Sequence, residues 1–271
     1  MGMPEFHFYN DFHIGDAIMI FRFLWSIRQL ILSKDVHITF HYSEYNQQYM
    51  RELQRYEDIS FLTMKPISEK PYNAIRLWIG DDIDGVHPHN YEIYHEKYHN
   101  KIRTILGLES EVINCGLFLN EPYLDDIYSA LSDKYKDIDI IVVNSLAYSG
   151  QFKRNLDELN NLARELSRTY KVVTTSKVDG IACTIDDGLA LQDISAVTGH
   201  AKYVIAVQTA PLCAMYTTTA RNSVKKWFIL TTNGHHYVHR TIDYTMITDG
   251  DLAKVYAYFH SINSHSSSND S

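Results

Sequence analysis

The stretch Asp139-Ile140-Ile141-Val142-Val143-Asn144-Ser145-Leu146-Ala147-Tyr148-Ser149-Gly150-Gln151-Phe152-Lys153-Arg154 decides how the chain is read. Ile140 to Val143 is an unbroken apolar run between polar residues, the pattern of a strand buried on both faces of a parallel sheet. Small and hydroxyl residues follow, then two cations, and a helical pattern runs from Leu156 to Arg168. Lys171 to Thr175 is strand-like again. Strand, polar turn, helix and strand make one unit of an α/β domain with a mainly parallel sheet.

Outward from this unit the alternation continues. Leu191–Gly199 reads as a helix and Tyr203–Val207 as a strand. Pro211–Thr219 reads as a helix with proline at its start, where a missing N–H is tolerated. Lys226–Thr231 is a last strand, followed by a long loop, Thr232–Met246, and a C-terminal helix, Asp249–Ile262. Toward the N-terminus, Glu5–Asn10 is a short alternating strand. Ala17–Leu32 is a helix apolar nearly all round and therefore well buried. Val36–Tyr42, Ile59–Met64 and Asn73–Ile79 are strands, Glu44–Arg55 is a polar helix, and Tyr91–Leu106 is a helix that stops at Gly107. Leu117–Leu124, with Asn120-Glu121-Pro122, reads as a linker. The expected architecture is α/β: two Rossmann-like domains with parallel sheets facing a cleft, residues 1–120 and 121–262. The Ser-rich end, 263–271, is expected to be a disordered tail.

Of the 271 residues 45% are hydrophobic and 21% charged, the balance of a globular protein that needs no disulfides to build a core. A net charge of −8 argues against a nucleic-acid or anionic-membrane binder, because both need a basic face. Cys115, Cys183 and Cys213 lie far apart with no CxxC pair. That pattern is neither a disulfide scaffold nor a zinc module and fits a reducing, cytoplasmic compartment. The most apolar early run, Ala17–Leu32, is interrupted by Arg22, Arg28 and Gln29, too polar for a membrane span of about 20 residues. It also starts too late, after an acidic stretch, to be a signal peptide.

In parallel sheets ligands bind beyond the carboxyl ends of the strands, so the loops after them carry the candidates. In His13-Ile14-Gly15-Asp16, glycine permits a tight turn and the close approach of a ligand. Asp16 there is either a helix N-cap or a general base at the mouth of a cleft, and the two roles compete. The loop Ser145–Arg154 has the hydroxyls, lysine and following helix N-terminus with which α/β proteins hold phosphates. It is not a Walker loop, since the GK[ST] ending is missing. A solvated loop is the plain alternative. Gln208-Thr209-Ala210-Pro211 is a third strand-to-helix turn, which by itself proves nothing. His95-Glu96-Lys97-Tyr98-His99 matches the HExxH pattern of zinc hydrolases. No HxxGxxH continuation follows, because Ile102 stands three residues after His99, and the surrounding helix is polar.

Three patterns fall in one order: the HIGDAI turn at 13–18, the unit at 144–175, and the unit from Leu191 through the strand and turn at 203–219. Together they resemble the heptosyltransferase family of GT-B glycosyltransferases. The resemblance implies a nucleotide-diphospho-sugar donor on the C-terminal domain and a glycan acceptor on the N-terminal domain. It implies metal-independent, inverting transfer with Asp16 as base and no cofactor beyond the donor. His13 and Gly15 fall on the acceptor side. Lys153 matches the family's lysine near the donor phosphates, and Ser145, Ser149 and Gln151 lie in the corresponding loop; Thr175 and Pro211 complete the donor side. Gln208-Thr209-Ala210 stands where the family has Asp-Thr-Gly, and Cys213 where it has His. These departures remove a charge and limit backbone approach, which implies an altered donor or lost activity. The last helix is expected to pack back toward the N-terminal domain. Two rival readings are a non-catalytic nucleotide- or sugar-binding protein and a zinc hydrolase built on His95, Glu96 and His99.

Overall fold

A computed structural model describes residues 4–11, 14–44, 54–58, 60–77, 99–110, 124–145, 156–231, 238, 242–248 and 251–266. Strand β1 (Glu5–Asn10) leads to helix α1 (Ile14–Ser26), which breaks at Ile27 before a short α2 (Arg28–Ser33). The single helix expected over 17–32 is therefore two pieces and starts three residues earlier. Strands β2 (His37–Tyr42), β3 (Leu62–Pro66) and β4 (Ile75–Arg76) complete the first sheet. Its order is β3-β2-β1-β4 with every pairing parallel.

The pleat sorts this sheet into two unlike faces. Phe8, Ile38, Phe40 and Leu62 join a core with Phe21 and Leu24 of α1. The register pairs Glu5, His7 and Tyr9 with His37, Thr39 and His41 on the opposite face. Polar groups satisfy one another there. The Thr39 hydroxyl donates to Glu5 at 2.8 Å, His7 Nδ1 meets His41 Nε2 at 3.2 Å, and His37 Nε2 meets Thr63 Oγ1 at 2.9 Å.

After α3 (Leu124–Ala130) the second half of the chain alternates as expected: β5 (Ile138–Val143), α4 (Asp157–Leu166), β6 (Val172–Thr174) and β7 (Ala182–Cys183). Then come α5 (Leu191–Gly199), β8 (Ala201–Val207), α6 (Ala210–Met215), α7 (Thr218–Ser223), β9 (Lys226–Thr231), β10 (Tyr244–Thr248) and α8 (Ala253–Ser266). The six strands run β10-β9-β8-β5-β6-β7, all parallel. Ile140, Val142, Ile205, Val207, Phe228 and Leu230 pack on α4 and α8 on one face. Ile141, Val143, Val204, Ala206, Trp227 and Ile229 face the other way, in the same core that holds Phe8 and Phe40 of the first sheet. Two parallel sheets with helices, in two successive units, are the architecture the sequence implied.

Four expectations are corrected. Among the described residues the last helix packs on the C-terminal sheet rather than on the N-terminal unit: its Val255 and Phe259 lie in the core beneath Phe228. An aromatic cluster of Tyr170, Tyr203, Phe228 and Phe259 at edge-on or tilted angles holds them there. The helix also runs to Ser266, so 263–266 are helical rather than tail. Part of the presumed loop 232–246 is the edge strand β10. The helix expected over 211–219 stops at Met215, and Thr217 starts another by accepting a hydrogen bond from Ala220 N–H at 3.1 Å. The boundary at 120/121 and most of the helices read at 44–55 and 91–106 lie outside the described residues, although 99–105 are helical. Among the described residues no helix is long and apolar enough to cross a membrane.

Candidate functional site

Topology selects the place. In the first sheet β1 lies between β2 and β4, so successive connections leave it in opposite directions. In the second sheet the order reverses between β5 and β8. Crevices of α/β sheets open at such switch points, outside the carboxyl ends of the strands. The segments that follow β1, β5 and β8 are those carrying Asp16, Ser145 and Gln208.

Two of these turns meet. A Cβ built on Gly15 would stand 3.5 Å from Ala210 Cα and 3.5 Å from Cys213 Sγ, ordinary contact distances. The first turns of α1 and α6 therefore lie against each other, although 195 positions separate Gly15 from Ala210. Asp16 is the third residue of α1, within its first turn. The N-cap role is thus corrected: Asp16 lies inside α1, which spans Ile14–Ser26, rather than ahead of it, and His13 lies outside the described residues. The Asp16 carboxyl is half-buried, and burial pushes it up to about 7. No described residue donates a hydrogen bond to it. At neutral pH it is divided between charged and neutral forms, which suits a group that must accept a proton. Its neighbour Cys213 responds: burial pushes the thiol up to about 12, with repulsion from the Asp16 charge acting the same way.

In the turn after β8, Thr209 is the N-cap residue of α6, extended in backbone, with its hydroxyl donating to Val207 O at 3.2 Å rather than capping the helix. Pro211 occupies the first turn, as expected. Gln208 is buried and its N–H donates to Leu230 O at 3.1 Å. At the end of β5, Ser145 Oγ meets Thr175 Oγ1 at 2.9 Å. That threonine is buried and also engages Asn144, accepting from its N–H at 3.1 Å. Thr175 thus joins two strand ends. Ser149, Gln151 and Lys153 lie outside the described residues, as do His95 and Glu96. His99 stacks on Phe23 with ring centroids 3.9 Å apart, and burial brings its imidazole down to about 3.

Two residues escaped sequence reading. Asn144, 2% exposed, ties β5 to the segment after β6: its amide donates to Asn160 Oδ1 and Ser176 O, and its oxygen accepts from Ser176 N–H at 2.7 Å. An asparagine closing an apolar strand was the available signal. Arg22 reads as an interruption of an apolar helix, yet it is 4% exposed and its guanidinium donates to three carbonyls of the second unit. Nothing in the local sequence points across that distance.

No family model matches the sequence, and no curated protein does. Solved structures do. The chain is similar to a glycosyl transferase family 9 protein from Veillonella parvula, at 14% identity over 96% of this chain and 90% of that one, TM-score 0.52. It is similar to the E. coli heptosyltransferase WaaC with ADP, at 9% identity over 96% and 99% of the two chains, TM-score 0.58. The same enzyme with ADP-2-deoxy-2-fluoro heptose gives 10% identity over the same shares and a TM-score of 0.54. The fold is therefore the GT-B arrangement of the heptosyltransferases.

Proposed function

We propose that this protein is a glycosyltransferase that moves a sugar from a nucleotide-diphospho-sugar to a hydroxyl of a glycan, without a metal and with inversion. The observation that carries the reading is Asp16: a desolvated carboxyl, raised to about 7, in the first turn of α1 where that helix meets the turn after β8. The likeness over nearly the whole chain to an enzyme solved with ADP and with ADP-2-deoxy-2-fluoro heptose supports it.

In the step so assigned, the acceptor hydroxyl oxygen bonds to the anomeric carbon as its proton passes to the Asp16 carboxylate. The bond from that carbon to the diphosphate oxygen breaks, and the nucleoside diphosphate leaves. His13 and Gly15 border the acceptor. Lys153, Ser145, Ser149 and Gln151 neutralise the departing phosphates, work that a metal ion performs elsewhere. Thr209, Ala210 and Pro211 flank the donor, and Gln208 replaces a carboxylate with a neutral amide, which redirects the choice of donor.

The test is transfer from a panel of nucleotide sugars, chosen by the nucleotide diphosphates that raise the melting temperature. Asp16→Asn keeps the size of the side chain and removes the base. We expect a loss of roughly 10²–10⁴-fold in transfer with donor binding retained, and activity that persists in EDTA. Undiminished transfer by Asp16→Asn would move the base elsewhere. Donor binding without any transfer by the unaltered protein would make it a binding protein.

A further inference from the structure

Arg22 lies six residues beyond Asp16 on α1. Its guanidinium crosses to the second unit and donates to Cys213 O at 2.9 Å, Ala214 O at 2.5 Å and Tyr216 O at 3.1 Å. These carbonyls belong to the last turn of α6 and the residue after it. Helix ends of this kind have carbonyls without intrahelical partners and carry the negative end of the helix dipole. From α5, the Ser195 hydroxyl donates to the same Ala214 oxygen at 2.5 Å.

Helix α6 has only six residues and depends on its surroundings to persist. Its first turn rests on Gly15 and its last turn is held by Arg22, so α1 grips it at both ends. The gripping helix carries Asp16, and the gripped one carries Thr209, Ala210 and Cys213. An arginine suits the place because its planar fork can donate to several carbonyls at once, which a compact ammonium does less well. We propose that Arg22 is a positioning residue that fixes the register between the proton-accepting carboxyl on α1 and the donor-side turn on α6. The proposal rests on the transferase reading for its purpose, but the grip itself can be measured without turnover.

The experiment is site-resolved alkylation by iodoacetamide, read by peptide mass spectrometry on the full-length protein. Cys213 reports on α6, half-buried beside Gly15. Cys183, buried in β7 at the edge of the second sheet, reports on the fold as a whole. In Arg22→Met the Cys213 rate should rise about tenfold or more while Cys183 stays within about twofold, the mark of a local opening. Arg22→Lys should fall between the two, and serves alone if the methionine variant does not fold. A parallel rise at both cysteines would make Arg22 a general stabiliser and overturn the proposal, as would no rise at Cys213. Once a donor is known, Arg22→Lys should lower kcat with little change in donor KM. A selective Cys213 response in a protein that transfers nothing would reject the transferase reading and leave the grip standing.

Discussion

In the C-terminal sheet, β5, β8 and β9 bury apolar side chains on both faces, against α4 and α8 on one side and the main core on the other. In the N-terminal sheet only one face does so. The other carries Glu5, His7, Thr39 and His41 in a hydrogen-bonded layer. The C-terminal sheet is held by burial that does not depend on direction, the N-terminal sheet by burial on one side and matched donors and acceptors on the other. Apolar packing tolerates no missing volume, whereas a polar pair with one partly exposed partner contributes less net free energy because water can take that partner's place.

The strongest way to break this contrast is truncation. Phe228→Ala, removing a ring that is 1% exposed between α8 and the sheet, should cost about 3–5 kcal/mol in urea or guanidinium unfolding. His7→Ala on the polar face, where the side chain is 23% exposed, should cost about 1 kcal/mol or less. Equal losses would erase the distinction.

Asp16 sharpens it in the opposite direction, because here burial works against the native state. Its carboxyl is raised to about 7 in the folded protein from an ordinary value of 3.8. The folded form therefore holds the proton more tightly than the unfolded chain. The benefit is complete below about pH 4, and stability falls between about pH 4 and 7 as the unfolded chain alone loses the proton. Asp16→Asn has no such loss. It should be more stable than the unaltered protein at pH 8, by a few kcal/mol at most, and the gap should close by pH 4. Denaturation at the two pH values checks this, and a gap independent of pH would place the carboxyl in an ordinary environment.

Smaller effects separate two glycines. A Cβ on Gly199 would stand 2.8 Å from Thr219 Cγ2 and 3.0 Å from Tyr128 Cε2. The tyrosine ring is itself stacked on His200 at 3.9 Å and has little room to retreat. Gly199→Ala should cost about 1–3 kcal/mol by overpacking. Gly15→Ala meets only ordinary contacts and lies in a helix, so it should change stability by less than about 1 kcal/mol. A large loss at Gly15 would mean that α1 and α6 tolerate less between them than their spacing allows.

The same contrast explains what sequence could reveal. The span of β9 and that of α5 agree with the reading to the residue, because continuous burial leaves one unambiguous pattern. Strand β10 was hidden because an edge strand has one neighbour and uneven burial, and Tyr244-Thr245-Met246-Ile247-Thr248 follows a turn-rich stretch that reads as loop. The break in α1 at Ile27 has no glycine or proline to announce it. In the site, Asp16 and Gln208–Pro211 were legible as turns at strand ends, since α/β topology sends ligands there. Their meeting at Gly15 and Ala210, and the reach of Arg22, depend on contacts between residues nearly two hundred positions apart. No local periodicity encodes such a pairing.

One feature of the core bears on how this chain comes apart. Phe8 and Phe40 of the first sheet share a single contiguous cluster with Ile141 and Trp227 of the second. Separating the units would wet both sides of that seam at once, so neither half can lose its structure without exposing apolar surface on the other. Two units in topology thus behave as one in thermodynamics: heat or denaturant should meet a single cooperative transition, in which each half serves as part of the solvent-free interior of its partner.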